Sequence, residues 1–256
     1  MKKIIAFFIA FALFLGLCGC GEGAAKEKKG LQVGFGRADV TPNFSVNVAG
    51  GDTRNRESTG FKDPILVTCV ALGIGNDTFL IYTMDYFLTE NVYTQPAEEL
   101  ITAATGISAD QIIMNSTHTH SGPAISYAYD STIRYRDTFN KAAVKVAQAA
   151  IEDMTAAQAY GSNVDAEGLA FVRHYEMENG TFAGANYGSF SGTIKGHAYE
   201  GDDDIQVIRF AREGKKDVVL LSNPAHATFV GGTDLSADIA YPVRDHIEKN
   251  TDCLVA

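Results

Sequence analysis

Two imidazoles stand two positions apart in Thr117-His118-Thr119-His120-Ser121-Gly122-Pro123, where a short apolar run ends. Ile112-Ile113-Met114 is bounded by polar residues and a Gly-Pro turn, which suits a buried strand leading into a loop. In an extended chain side chains alternate between faces, so His118 and His120 are expected to project the same way, roughly 6.6 Å apart along the strand. Neutral imidazole is a common metal ligand, and its ordinary pKa of about 6.5 also suits a general acid or base. Spacing alone leaves both roles open, and ordinary surface histidines share it.

A second segment repeats the layout. Val218-Val219-Leu220-Leu221 is a β-branched and aliphatic run of strand length, and Ser222-Asn223-Pro224-Ala225 carries the chain out of it to His226. Open α/β sheets place their sites outside the carboxyl ends of strands, so both histidine segments fall where chemistry is expected. Two chain ends could thus meet at one metal.

At these residues the chain resembles the neutral/alkaline, non-lysosomal ceramidases, zinc amidases that cleave the amide of N-acylsphingosine. The match runs in order through Val33-Gly34-Phe35-Gly36-Arg37-Ala38-Asp39-Val40-Thr41-Pro42, Met84-Asp85, the Thr-His-Thr-His-Ser-Gly-Pro segment, Asn223-Pro224-Ala225-His226 and Leu235-Ser236-Ala237-Asp238. It extends from about residue 31 to residue 256, and the His-Thr-His-Ser-Gly-Pro block is its most specific element. The resemblance implies that His118 and His226 are zinc ligands and that His120 is an active-site group that hydrogen-bonds or handles a proton. It also implies that Arg173, in Phe171-Val172-Arg173-His174, corresponds to an arginine of the family's site, although Val172 stands where that pattern usually has Asn. The resembled enzymes complete the zinc shell with a glutamate and a tyrosine much further along. A catalytic zinc has three protein ligands and an open position, so two histidines supply only part of a site. The segment 31–256 is therefore expected to be the amino-terminal portion of a larger ceramidase-like catalytic domain.

The expected chemistry follows from the metal. Zinc would lower the pKa of a bound water from 15.7 toward about 7 for attack on an amide carbonyl, with His120 and Arg173 steadying the oxyanion or passing a proton. The first expectation is a hydrolase of ceramide or a related N-acyl lipid. A zinc hydrolase of the same fold with another amide or ester substrate, and a noncatalytic surface binding protein with an incomplete metal site, are the alternatives.

The elements that must position these residues read as mixed α/β: mixed β-sheets with hairpins, flanked by helices. Segments 65–74 and 78–84 are strand-like around Gly75-Asn76-Asp77, and 205–212 and 217–221 form a second pair around Glu213-Gly214-Lys215-Lys216. Val144, Ala147, Ile151 and Met154 recur at helical spacing, as do Ile239, Val243 and Ile247 behind a candidate cap at Ser236 with Pro242 in the first turn. A shorter helix is expected over 97–105, ending at Gly106. The glycine-bearing loop from Gly50-Gly51-Asp52 to residue 60, with Tyr127 and Tyr129, is a candidate rim for the substrate site. Asp202-Asp203-Asp204 reads as a solvated turn before the strand at Ile205 rather than as a calcium site, and Asp238 either favours a helix dipole or orients a metal ligand.

Composition suits a folded domain, with 46% hydrophobic and 20% charged residues. Met1-Lys2-Lys3 precedes an apolar run over 4–17, long enough for a signal peptide and short of the roughly 20 residues that span a bilayer. Leu17-Cys18-Gly19-Cys20 resembles a bacterial lipobox, so 1–19 reads as a lipoprotein-type signal peptide, Cys20 as the lipid anchor, and 20–30 as a flexible tether. The expected location is extracytoplasmic, on the cell membrane, with plain secretion as the alternative. Losing Lys2 and Lys3 takes the formal charge from −10 to −12, which disfavours nucleic acid. Cys69, within a strand-like run, reads as a buried structural thiol.

Overall fold

A computed structural model describes residues 30–51, 53–184, 190 and 192–256. The expected signal peptide, the expected anchor Cys20 and all but the last residue of the expected tether lie outside the described residues. In chain order the elements are β1 (Gln32–Asp39), β2 (Gly60–Phe61), β3 (Leu66–Ile74), β4 (Asp77–Met84), α1 (Asn91–Thr105), β5 (Ile112–Ser116), α2 (Asp130–Glu152), β6 (Thr155–Asp165), β7 (His174–Met177), β8 (Phe182–Gly184), β9 (Ile194–His197), β10 (Asp204–Arg212), β11 (Asp217–Ser222), β12 (Asp234–Leu235), α3 (Ala240–Asn250) and β13 (Cys253–Val255). The fold is mixed α/β, as expected.

An eight-stranded sheet runs in the order β13-β11-β10-β6-β1-β3-β4-β5. It is parallel at β4–β5 and β11–β13 and antiparallel between its other neighbours. Both expected hairpins are present, the first turning at Gly75 with φ 65°. Strand β6 touches β1 only through Thr155 and Ala156 but pairs with β10 along nearly all of its length. The sheet can therefore fold back on itself beyond that corner. Val33 and Val70 of the first half share a core cluster with Phe210, Val218 and Ala256 of the second. Smaller sheets, β8-β7-β9 and β12-β2, complete the topology.

The other face of the first half carries α1 and α2. Strand β1 has glycine at two alternate positions on this face, and the reason is steric. A Cβ on Gly34 would lie 1.8 Å from the Ala150 carbonyl oxygen, and one on Gly36 would lie 2.2 Å from that of Val146. Helix α2 thus packs with its backbone directly on the strand. Tyr86, Tyr93, Tyr135 and Phe139 fill the space between the helices and β4 with edge-to-face ring contacts 5.3 to 6.2 Å apart. Such pairs add roughly 0.5–1.5 kcal/mol each beyond their burial. Cys69 is fully buried on β3, and burial pushes its thiol pKa up, which fits the structural role read from sequence.

Helix boundaries differ from expectation in two places. Helix α1 begins six residues earlier, at Asn91, and holds Pro96 inside; it ends as expected at Gly106, with φ 76°. Proline removes one backbone bond and marked a false start. Helix α3 starts at Ala240 behind Ile239, so Ser236 does not cap it. The Ser236 hydroxyl instead donates to Asp63 at 2.5 Å.

Two arginine–carboxylate pairs tie α3 to the sheet. Arg37 of β1 pairs with Glu248 through both nitrogens, at 3.0 and 2.8 Å. Arg244 pairs with Asp85 at 3.2 and 3.1 Å, and both are buried. Removing one member of a buried pair strands the other charge at a cost of about 3–5 kcal/mol. Arg244→Met is expected to lose stability in that range in urea unfolding, whereas a loss below about 1 kcal/mol would show that Asp85 finds another partner.

Candidate metal centre

Strand β5 ends at Ser116, and the Thr117 N–H donates to the Met84 carbonyl at 2.9 Å, keeping the chain alongside β4 for one more residue. The next residue breaks the extended path. His118 has φ 62°, in the left-handed region, so the expectation of an extended His-x-His segment is corrected. Holding a non-glycine residue there costs of order 1–3 kcal/mol and needs surrounding structure to enforce it. Phe87 provides that structure. Its carbonyl lies 2.8 Å from His118 Nδ1, and its ring stacks on His118 at 4.8 Å and meets the His120 ring edge-on at 4.5 Å. Phe87 itself follows Tyr86, which is clamped in the aromatic cluster of α1 and α2.

Behind His120 there is room only for glycine. A Cβ on Gly50 would lie 2.5 Å from His120 Cβ and 2.6 Å from Nδ1, and Gly50 has φ 82°. The glycine-bearing loop thus backs the site, while Tyr129 is tied to Thr53 by a 2.7 Å hydroxyl contact and stacks against Tyr127 at 6.1 Å.

A seam of hydrogen bonds joins the two histidine loops. The His120 N–H donates to the Ala227 carbonyl at 3.2 Å, the Thr119 hydroxyl to the Ser236 carbonyl at 2.8 Å, and the Ser121 hydroxyl to the Val230 carbonyl at 2.9 Å. The Ser236 N–H returns a bond to the Ser121 carbonyl at 3.0 Å. Loops leaving β5 and β11, from opposite ends of the sheet order, are held side by side.

As a result His118, His120 and His226 converge. Their ligating nitrogens all lie within 4.8 Å of one another, and this is the group among the described residues with the make-up to hold a metal ion. His120 Nε2 and His226 Nε2 are 3.1 Å apart. A carbonyl only accepts, so His118 Nδ1 must carry a proton, which leaves the lone pair of neutral His118 on Nε2. His226 Nδ1 lies 3.0 Å from the Thr228 hydroxyl. Metal-binding histidines are commonly oriented in this way through the other ring nitrogen. The donor set fits zinc.

Electrostatics favour the neutral rings. Burial first, then the neighbouring His226, His118 and Arg173, push the His120 pKa down to about 4, against an opposing pull from Asp238. Burial, Arg173 and His118 lower that of His226, again opposed by Asp238. Arg173 is exposed just ahead of β7, and its charge is felt at both rings. Of the four residues singled out from sequence, the three histidines are brought together, and Arg173 lies near enough for its charge to act on His120 and His226.

No protein-family model and no curated protein matches the sequence. Solved structures do. Neutral ceramidase from Pseudomonas aeruginosa is similar at a TM-score of 0.68 and 14% identity, covering 89% of this chain and 38% of that one. A ceramidase complexed with C2 is similar at a TM-score of 0.66 and 13% identity, covering 89% of this chain and 37% of that one. The chain has the neutral ceramidase fold. It spans under two-fifths of the length of the ceramidases it resembles.

Phe87 supports the site without having been legible in sequence, whereas the Gly50 loop was a candidate rim and Asp238 a candidate to favour a helix dipole or orient a metal ligand. Phe87 acts through a backbone carbonyl, which no side-chain pattern reports, and the Gly50 contact spans 70 residues of chain. Asp202, Asp203 and Asp204 form no metal-holding group among the described residues; the Asp202 carboxylate accepts the Asp204 N–H at 3.0 Å, as in a turn.

The lowered histidine pKa values have a consequence for stability. Free histidine titrates near 6.5, so between about 6.5 and 4 the unfolded chain binds protons that the folded metal-free chain excludes. Stability contributed by neutral His120 is complete above about pH 6.5 and is lost as pH falls toward 4. Urea unfolding of the metal-free chain is expected to show this decline, and His120→Gln to flatten it; an equally steep profile in the variant would assign the protons elsewhere.

Proposed function

We propose that the site belongs to a zinc-dependent amide hydrolase acting on ceramide or a related N-acyl lipid. The observation that carries this reading is the convergence of three imidazoles, with the His118 tautomer dictated by the Phe87 carbonyl, on a neutral ceramidase fold. His118 and His226 would hold the metal through Nε2, since each has its Nδ1 engaged by a neighbour. Zinc, when bound, supplies Lewis-acid polarisation of a carbonyl and a lowered water pKa.

The remaining roles fall to the chain's own groups. His120, kept neutral chiefly by burial, would hold a proton only transiently as the attacking water gives it up and, being strongly acidic once protonated, would return it to the departing amine nitrogen. The Arg173 guanidinium, whose charge reaches both rings, would favour negative charge developing on the amide oxygen.

Surface chemistry around the site supports a substrate with a hydrocarbon part. Phe229, three residues after His226, is 68% exposed, and Phe171, two before Arg173, is 59% exposed. The cavity between the ends of β5 and β11, bounded by Thr117 and Ala225, holds only about 200 Å³ and is walled about equally by polar and apolar groups. A long acyl chain would lie along the aromatic surface instead. Among the described residues no helix is long and apolar enough to cross a membrane. Anchoring through Cys20, with the charged start, apolar run and lipobox-like residues in support, would bring the site to an amphiphilic substrate.

Zinc content by elemental analysis and hydrolysis of a labelled ceramide test the reading together. His118→Ala and His226→Ala are each expected to lose bound zinc. His120→Ala should keep the metal and lose roughly 10²–10⁴-fold in turnover. Full zinc retention in both ligand variants would remove those residues from the metal shell, and a parent protein that binds no zinc would end the proposal.

A further inference from the structure

Asp238 is a buried acid with an unusual backbone. It is 2% exposed and has φ 55°. Its carboxylate accepts three backbone N–H groups: Oδ1 takes those of Phe229 at 3.2 Å and Ile239 at 2.7 Å, and Oδ2 takes that of Val230 at 2.7 Å. A buried carboxylate needs such compensation, and charge-assisted bonds to amides are stronger than neutral ones. The Ile239 bond sits at the start of α3, as a helix dipole would favour. The other two do not serve the helix. They belong to the loop that carries His226.

The anchorage continues on both sides. The Asp238 N–H donates to the Ser236 hydroxyl at 2.9 Å, and that hydroxyl donates to Asp63, which also accepts the Ala237 N–H at 2.6 Å. Val230 is gripped at both polar ends, its N–H by Asp238 and its carbonyl by the hydroxyl of Ser121, next to His120. The carboxylate thereby fixes the loop of one histidine relative to the loop of the other two.

We propose that Asp238 is a positioning residue of the metal centre: by holding the amides of Phe229 and Val230 it sets the place of His226 relative to His118 and His120. The proposal rests on the metal reading of the three imidazoles. It does not require Asp238 to touch metal or substrate.

Asp238→Asn keeps the size and tolerates the left-handed backbone, but it exchanges one accepting oxygen for a donating NH2, so one loop amide must face a donor. Zinc affinity, measured by competition with a chromophoric chelator, is expected to fall about 10- to 100-fold, the usual effect of removing a group that orients a metal ligand. Hydrogen exchange at the Phe229 and Val230 amides should quicken, and the His226 ring resonances should move in the metal-free chain. Asp238→Gly, which keeps the left-handed backbone at no steric cost and removes the carboxylate, should deepen each change. Asp137→Asn, an exposed carboxylate on α2, should leave them as they were. Parental zinc affinity in folded Asp238→Asn would overturn the proposal, as would unaltered amide exchange. If the parent itself takes up no zinc, the metal reading fails, and unmoved His226 resonances in the variants would then overturn the positioning role separately.

Discussion

A carboxylate with no exposure to solvent joins the supports of the site. Asp85 accepts the Leu66 N–H at 2.9 Å and both terminal nitrogens of Arg244, while its own N–H donates to the Leu66 carbonyl at 3.0 Å. Taking an arginine and an aspartate out of water costs several kcal/mol per ion, and only bidentate geometry with further hydrogen bonds repays it. The pair therefore works as an all-or-nothing latch. On the Asp85 side the chain runs directly into Tyr86 and Phe87, which set His118. On the Arg244 side, α3 follows Asp238, which holds the loop of His226. A slip of α3 along the sheet would disturb both histidine supports and leave a buried charge behind.

That latch matters because the histidines come from opposite ends of the sheet order. Nothing in sequence proximity brings residue 118 near residue 226. Their approach depends on β6 parting from β1 after two paired residues, so that β10, β11 and β13 can fold across β1 and β3. The seam from Thr119 and Ser121 to Val230 and Ser236 then uses loop groups that strands would otherwise have paired. Loop polar groups this close to the interior need partners, and here each loop supplies them to the other.

Much of this was readable from local pattern. The two hairpins announce themselves through strand-length runs around Gly75-Asn76-Asp77 and Glu213-Gly214-Lys215-Lys216, and the helices through apolar spacing, because each depends on neighbours in sequence. His118, His120 and His226 could be singled out by residue type after an apolar run. The left-handed turn at His118 could not, since it is imposed by Phe87, 31 residues earlier, and an isolated chain would prefer to extend. Pro96 hid the first turn of α1 because a single missing bond is outweighed by the buried face of Tyr93, Ala97 and Ile101. Ser236 looked like a helix cap, as such residues often are, but Asp63 offered its hydroxyl a charged acceptor instead.

The strained turn and the suppressed protonation are two sides of one arrangement. Burial, together with the neighbouring imidazoles and a guanidinium, leaves little tolerance for a proton on His120, whose pKa is pushed down to about 4. The same crowding leaves lone pairs directed into a shared space at neutral pH, where a solvated histidine would still be partly protonated. A divalent cation competes for those lone pairs with protons that have already been driven off. Asp238 lies close enough to moderate the positive potential at His120 and His226, yet its oxygens are occupied by backbone amides and so are not free to become ligands. The centre thus gains a nearby negative charge without a competing donor, and the left-handed backbone at His118 is the conformational cost of aiming the third ring.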